Sequence, residues 1–251
     1  MKKYFVFTCL MFICATAFSQ DEAVLLKEAI NLEKQLKESA ALDKYMQVAL
    51  ASPGNVPALV KCAELNASIG SRQTDKNNRN LYYLNCSDFA KKAVMADSNS
   101  SDANYAMALA SGKMSEVETD KRKIIEFVRQ IKVYTDKALA LNPNNAKANY
   151  TMGKWHLEML DLSWFKKAAI KTFYGGLPKP DLDTAIAYME KCRALDQYFA
   201  ANYLDLAKAY KKSNQPAKLV DVLNKLIKLP TRTENDIAIK EEGKKMLADM
   251  Q

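Results

Sequence analysis

Histidine occurs once in these 251 residues, and glycine and proline only seven times each. With so few turn formers there is little material for a sandwich or barrel, which needs a tight turn every ten residues or so. HExxH, CxxC, P-loop and GxGxxG motifs are absent, which removes sequence support for zinc, redox, nucleotide and dinucleotide chemistry. No Arg-rich stripe or aromatic-interleaved basic stretch argues for nucleic acid. What is abundant is helix-forming: 34 Ala, 31 Lys and 27 Leu. A chain 49% apolar and 26% charged is too apolar to be disordered, and too interspersed with charge to cross a membrane repeatedly. The expected class is all-α.

The first residues read as an address. Lys2 and Lys3 precede an uncharged apolar run from Tyr4 to Phe18, and Ala17-Phe18-Ser19 offers small residues before a cleavage site at Gln20. Residues 1–19 are therefore expected to be a signal peptide in the style of bacterial export signals, particularly those of Bacteroidota. Cys14 lacks the small residues before it that lipid attachment wants. The expected product is periplasmic or secreted and, after cleavage, not transmembrane. Its net charge falls from +8 as Lys2 and Lys3 leave, and lysines on solvated helix faces account for the remaining excess. Three cysteines remain, Cys62, Cys86 and Cys192, too few for a disulfide framework.

Helical periodicity runs along the mature chain. A long helix is expected over 21–51, ended by Ser52-Pro53-Gly54. Asn55 is placed to cap a second helix, which closes at Ile69-Gly70 with glycine as its C-terminal cap. Further helices are expected at about 79–96, from Asp102, and at about 120–141, 146–160, 162–174, 181–195, 199–212, 216–228 and 234–250. Thr233 to Asp236 reads as a capping box.

Internal repeats define the architecture. Asn104, Met107, Ala108 and Ser111 stand at the offsets of Asn149, Met152, Gly153 and His156, and Tyr203, Leu206, Ala207 and Tyr210 repeat them again. Small residues at this spacing let two helices approach closely. The breaks fall 45 and 54 residues apart and then 33, against a tetratricopeptide period of 34, so the longer intervals must hold longer helices or insertions. The expected fold is a tetratricopeptide-type superhelix: one domain over 20–251, with repeat units at about 55–97, 101–141, 146–195 and 199–230, and a C-terminal helix at 233–250.

One stretch carries a narrower likeness. Gly153, Trp155, Glu158, Leu162-Ser163-Trp164, Phe173, Gly175 or Gly176, Pro178 and Ala185 follow one another as in the regulator of microtubule dynamics family, which this chain resembles over about 95–230. The doubled glycine and Tyr174 depart from that pattern, and residues 21–80 are not clearly matched. The resemblance implies a tetratricopeptide domain that binds proteins, including microtubules in animal members, and in some members binds or transfers lipid. An exported bacterial chain meets no microtubules, so the scaffold and the lipid binding carry over better than the name.

No enzyme is expected and no cofactor or metal is implied. His156 sits at a groove-filling offset shared with Tyr210 and reads as packing rather than as a general base. Asp181 and Asp183 read as helix capping. The groove-facing positions implied by the family pattern are Tyr105, Leu109, Tyr150, Lys154, Leu157, Leu204, Lys208 and Lys211. Two functions follow: a scaffold holding a protein or peptide partner in this groove, or a carrier of lipid or another apolar ligand. The second would use an amphipathic insert at 161–180, whose Trp164, Phe165 and Phe173 share a face with lysines off it. Packing of those aromatics onto neighbouring repeats is the simpler reading. Cys62 and Cys86 lie at equal height if their helices form an antiparallel hairpin. They are either a disulfide or, more simply, two buried thiols.

Overall fold

The computed structural model describes residues 22–161 and 179–250, so the signal segment at 1–19 lies outside it. So do the expected helix at 162–174 and, within the 161–180 insert, Trp164, Phe165 and Phe173. The described residues form eleven helices and no strand: α1 (22–34), α2 (Glu38–Ala51), α3 (Val56–Ser71), α4 (Lys76–Ala96), α5 (Ser101–Val117), α6 (Lys121–Leu141), α7 (Ala146–Asp161), α8 (Leu182–Leu195), α9 (Ala200–Lys212), α10 (Pro216–Lys228) and α11 (Asn235–Ala248). They stack as pairs. Each odd helix from α3 to α7 packs on its even partner and on the next odd helix. α9 pairs with α10 in the same way, and α11 closes the C-terminal end against both.

The same junction joins successive pairs. Ser52, Asp97, Asn142 and Asp196 each donate their N–H four residues back, to the carbonyls of Val48, Ala93, Ala138 and Cys192. Each then accepts from the N–H three residues on, at 2.9–3.4 Å. At the next helix start, Asn55, Ser100 and Asn145 cap the N–H groups of Ala58, Ala103 and Ala148 at 2.9, 3.2 and 3.0 Å. A side chain in the first turn reaches back six residues to cover one junction carbonyl: Asn104 covers Ser98, Asn149 covers Pro143 and Tyr203 covers Gln197, all at 3.0 Å. The junction's chemistry is constant, although its residues change.

The 45-residue intervals are explained by length. α5 and α6 have 17 and 21 residues, whereas α9 and α10 have 13 each, which returns the period to normal. The register also extends further toward the N-terminus than the sequence indicated, because α1 and α2 form a first pair ending at Ser52.

Several expectations are corrected. The helix over 21–51 is two helices, broken at Gln35-Leu36-Lys37. Leu36 adopts φ 59°, and the N–H groups of Leu36 and Lys37 return to the carbonyls of Glu33 and Leu32 at 2.9 Å. This is a Schellman stop built without glycine. Gly70 does not cap α3 but lies inside it. A Cβ there would meet the Tyr83 ring at 2.8 Å and Tyr82 Cβ at 2.9 Å, so its role is close approach to α4. That helix begins at Lys76, capped by Asp75 rather than starting near 79, and α5 begins at Ser101 behind Ser100 rather than at Asp102. Only half of the expected capping box forms. Asp236 accepts from the N–H of Thr233 at 3.0 Å, while the Thr233 hydroxyl donates to the same carboxylate at 2.7 Å.

Cys62 and Cys86 are free and fully buried, not bridged, as is Cys192. Their surroundings differ: Lys92 acts on Cys62, whereas Lys113 of α5 and Glu64 act on Cys86. Burial pushes all three thiols up to about 12. Native residues 20–251 should therefore resist a thiol reagent near neutral pH, and three thiols should react after denaturation without reductant. A count of one would restore the bridge.

A small buried residue recurs at one register position of the odd helices: Ala63, Ala108, Gly153 and Ala207. At Gly153 the paired helix comes close: a Cβ would stand 2.7 Å from Met189 Cγ and 2.9 Å from the Ala185 carbonyl oxygen. Gly153→Ala should destabilise the protein, because overpacking of about 1–3 kcal/mol outweighs the roughly 1 kcal/mol of helix propensity gained. Gly112→Ala, whose Cβ would meet only Ile131 Cδ1 at 3.8 Å, should stabilise it by about 0.5–1 kcal/mol. Urea unfolding of both variants checks the opposite signs.

Candidate functional site

The odd helices touch one another in series, so their outward faces form the inner, concave side of the superhelix. Charge and tyrosine run along it. Glu33 of α1 accepts from the Tyr45 hydroxyl at 2.7 Å and pairs with Lys61 of α3 at 2.9 Å. Glu64 holds Lys147 of α7, whose ammonium also lies 5.7 Å from the centre of the Tyr105 ring. Asp205 of α9 accepts from the Tyr150 hydroxyl at 2.8 Å and pairs with Lys154 at 3.5 Å and Lys208 at 3.3 Å. Lys154 reaches Glu158 at 2.8 Å, and Lys208 reaches Glu242 of α11 at 3.0 Å.

These pairs fix protonation. Burial opposes charge on Lys154, but Asp205 and Glu158 outweigh it and hold the ammonium above the ordinary lysine value. Burial and the Asp205 carboxylate together push Tyr150 well above the ordinary tyrosine value. Tyr150 is thus a neutral donor and Lys154 a fixed cation.

A cleft of about 560 Å³ opens where α7, α9 and α11 converge. Lys154, Leu157, Lys208 and Lys211 all line it, so four of the eight expected groove positions meet in one place. Tyr150 stands behind them on Asp205. Tyr105, Leu157 and Leu204 are buried at 7%, 6% and 5% exposure. Of these only Leu157 reaches the cleft wall; Tyr105 and Leu204 do not line it, and Leu109 is half-buried beside Tyr105. The winding is tight enough for α3 and α7 side chains to meet across α5, which leaves those positions covered. Sequence reading missed Glu158, Asp161, Asp205, Lys212 and Met246, which complete the lining. The spacings Lys154–Glu158 and Asp205–Lys208 were visible as helical ion pairs, but nothing local brings Met246 of the last helix to α7. On another face, a hollow of about 990 Å³ lies between α2 and α4, lined by apolar residues that include Leu50 and Met95.

His156 behaves as packing. It is buried against Trp155 and Tyr188, and its Nδ1 accepts the Asp181 N–H at 3.1 Å. Asp181 in turn caps α8 through the Thr184 N–H at 2.7 Å. Among the described residues, no group of His, Cys, Asp and Glu is arranged to hold a metal ion. No described helix is long and apolar enough to cross a membrane.

Antiparallel helix pairs in one repeated register, crossing at small residues and curving around an inner face, define a tetratricopeptide-type helical-repeat protein. Solved structures share this fold. TTC0263, a tetratricopeptide protein of Thermus thermophilus, superposes with a TM-score of 0.63 at 14% identity, over 90% of this chain and 99% of that one. Pseudomonas aeruginosa pilF gives 0.52 at 11% identity, over 93% and 87%. The chain belongs to the family described as Regulator of microtubule dynamics protein 1-3, whose sequence model matches residues 25–251 and so includes the first helix pair. Regulator of microtubule dynamics protein 1 of Bos taurus is 25% identical over 88% of this chain and 71% of its own length. The Caenorhabditis elegans protein of the same name is 27% identical over 74% and 80%. Against that of Mus musculus, 26% identical over 71% of this chain, the match spans 58% of the relative's length.

Burial and Lys132 lower His156 below the ordinary histidine value, against the opposing pull of Asp181 and Asp136. The unfolded chain therefore gains a proton near pH 6.5 that the folded chain resists, and stability falls as pH drops through that value. The melting temperature of His156→Gln should fall less than that of the parent between pH 7.5 and 5.5. Equal slopes would show that His156 titrates freely.

Proposed function

We propose that this chain is a non-enzymatic scaffold which, after export, holds an extended segment of a partner protein on its concave face. The observation that carries the reading is the cleft between α7, α9 and α11. Four lysines, Lys154, Lys208, Lys211 and Lys212, surround Leu157 and Met246 there. That lining suits a segment presenting carboxylates beside an apolar side chain. The family names its relatives for microtubules. On the reading that residues 1–19 direct export, we assign a different polypeptide partner. The lipid-carrier reading runs through Trp164, Phe165 and Phe173, outside the described residues, and no observation on the cleft favours it.

Native mass spectrometry of the protein purified gently from its own cells tests both parts. The chain mass should correspond to a start at Gln20. A copurifying polypeptide should be present and should be lost in the Lys208→Glu/Lys211→Glu variant, with helical circular dichroism unchanged. A lipid adduct in place of the polypeptide, or a polypeptide retained by the variant, would overturn the reading.

A further inference from the structure

The two ends of the superhelix meet. Glu38 opens α2 and Glu234 sits at the start of α11, 196 residues later, yet each carboxylate reaches the other's backbone. The Glu234 N–H donates to Glu38 Oε1 at 2.9 Å, and the Glu38 N–H donates to Glu234 Oε1 at 3.3 Å. Each carboxylate satisfies an N–H that its partner's helix start leaves free, at the end where the helix dipole favours negative charge. Arg72, at the end of α3, lies between them. Its guanidinium reaches Glu38 at 2.9 Å, Glu234 at 3.2 Å and Asn235 Oδ1 at 2.7 Å. Ser68 donates to Glu38 at 2.9 Å, and the Asn235 amide donates to Ser71 Oγ at 3.2 Å. Glu38 is only 4% exposed, so the clasp is a partly desolvated network and not a surface ion pair.

The apolar residues on either side of the clasp belong to different cores. One cluster spans α1 to α5, and another spans α7 to α11. Between them lie two smaller clusters, one around Trp155, Ile125 and Met159 and one around Tyr105, Ala138 and Ala148. What joins the ends directly is therefore hydrogen bonds and ion pairs, which regain water when they part, whereas a parted apolar seam would not.

We propose that the Glu38–Arg72–Glu234 clasp is a latch on the superhelix. Closed, it makes the repeat array a ring around its concave face. Open, it lets the two halves swing about the α5–α7 seam and widens that face, with both cores intact. The latch does not depend on what the cleft binds.

The test places thiols at the clasp in the chain carrying Ser71→Cys and Asn235→Cys. Its native cysteines are buried, so a short bis-maleimide reads the new pair. At low salt the reagent should cross-link the two positions within one chain. Adding Arg72→Ala leaves two carboxylates facing each other, and should abolish the cross-link while the helical circular dichroism stays unchanged. Should Arg72→Ala lose helicity, Glu234→Lys, at a half-exposed position, carries the same expectation. Molar salt should slow the reaction in the chain that keeps Arg72. No cross-link in that chain at low salt would overturn the proposal. The two thiols replace the Asn235 contacts to Arg72 and Ser71 but keep Glu38, Arg72 and Glu234, so a cross-link that forms as fast in a folded variant of that triad as in the chain that keeps all three would also overturn it.

Discussion

The constraint on which the rest of the molecule depends is the distance at which the two helices of a pair cross. At Ala63, Ala108, Gly153 and Ala207 the odd helix presents almost nothing beyond its backbone. At Gly153 the even helix comes close enough for Met189 and the Ala185 carbonyl to fill the space where a side chain would stand. A close crossing sets the angle at which each pair leaves the last, and a repeated junction repeats that angle. The junctions at 52–55, 97–100, 142–145 and 196–199 keep the same backbone hydrogen bonds whether Ser, Asp or Asn begins them. Small residues and short polar turns thus decide the curvature, while the large apolar residues fill what the curvature leaves.

Tight curvature has a consequence for the inner face. Side chains on alternate odd helices come within reach of one another, as Glu64 and Lys147 do. Residues that would be open groove in a looser array become floor, as Tyr105 and Leu204 have. Polar groups caught in such a space need partners, and the inner face supplies them as a run of lysine, carboxylate and tyrosine contacts from Glu33 to Glu242. The face opens as a cleft where α7 and α9 meet α11, whose Met246 and Glu242 come from the last helix.

Legibility in the sequence followed the range of each interaction. The class and the limits of α6, α7, α9 and α10 were legible within a residue, because helix formers, caps and breaks act locally. The repeat register was legible from Asn104 onward, since small residues and stops recur there at fixed offsets. It was hidden at the first pair, where Leu36 ends α1 in a left-handed conformation normally marked by glycine or asparagine. Gly70 misled for the converse reason: it looks like a cap, and only the Tyr83 ring across the seam explains it. Four of the nine lining residues of the cleft, on α7 and α9, were expected from the family pattern. The α11 contribution, and the meeting of Glu38 with Glu234, depend on the summed rotation of five pairs, which no local pattern records.

That summed rotation also governs how the inner face can bind anything. Asp205 already engages Lys154 and Lys208, and Lys154 already engages Glu158, so a carboxylate arriving beside Lys154 or Lys208 meets an ammonium that has a partner. Binding there is an exchange of one ion pair for another, not the filling of an empty charge. Its net Coulombic gain is small, because each new ion pair forms only as an existing one is lost, while rehydration of the displaced carboxylate offsets desolvation of the incoming one. An exchange of this kind rewards a ligand whose charges fall at the right spacing and rejects one whose charges do not, so it contributes selectivity more than affinity. Affinity must come from apolar contact, which the cleft supplies at Leu157 and Met246. The spacing between those two is set by how α11 docks on α9 and α10, and hence by the same repeated crossing that curves the whole array.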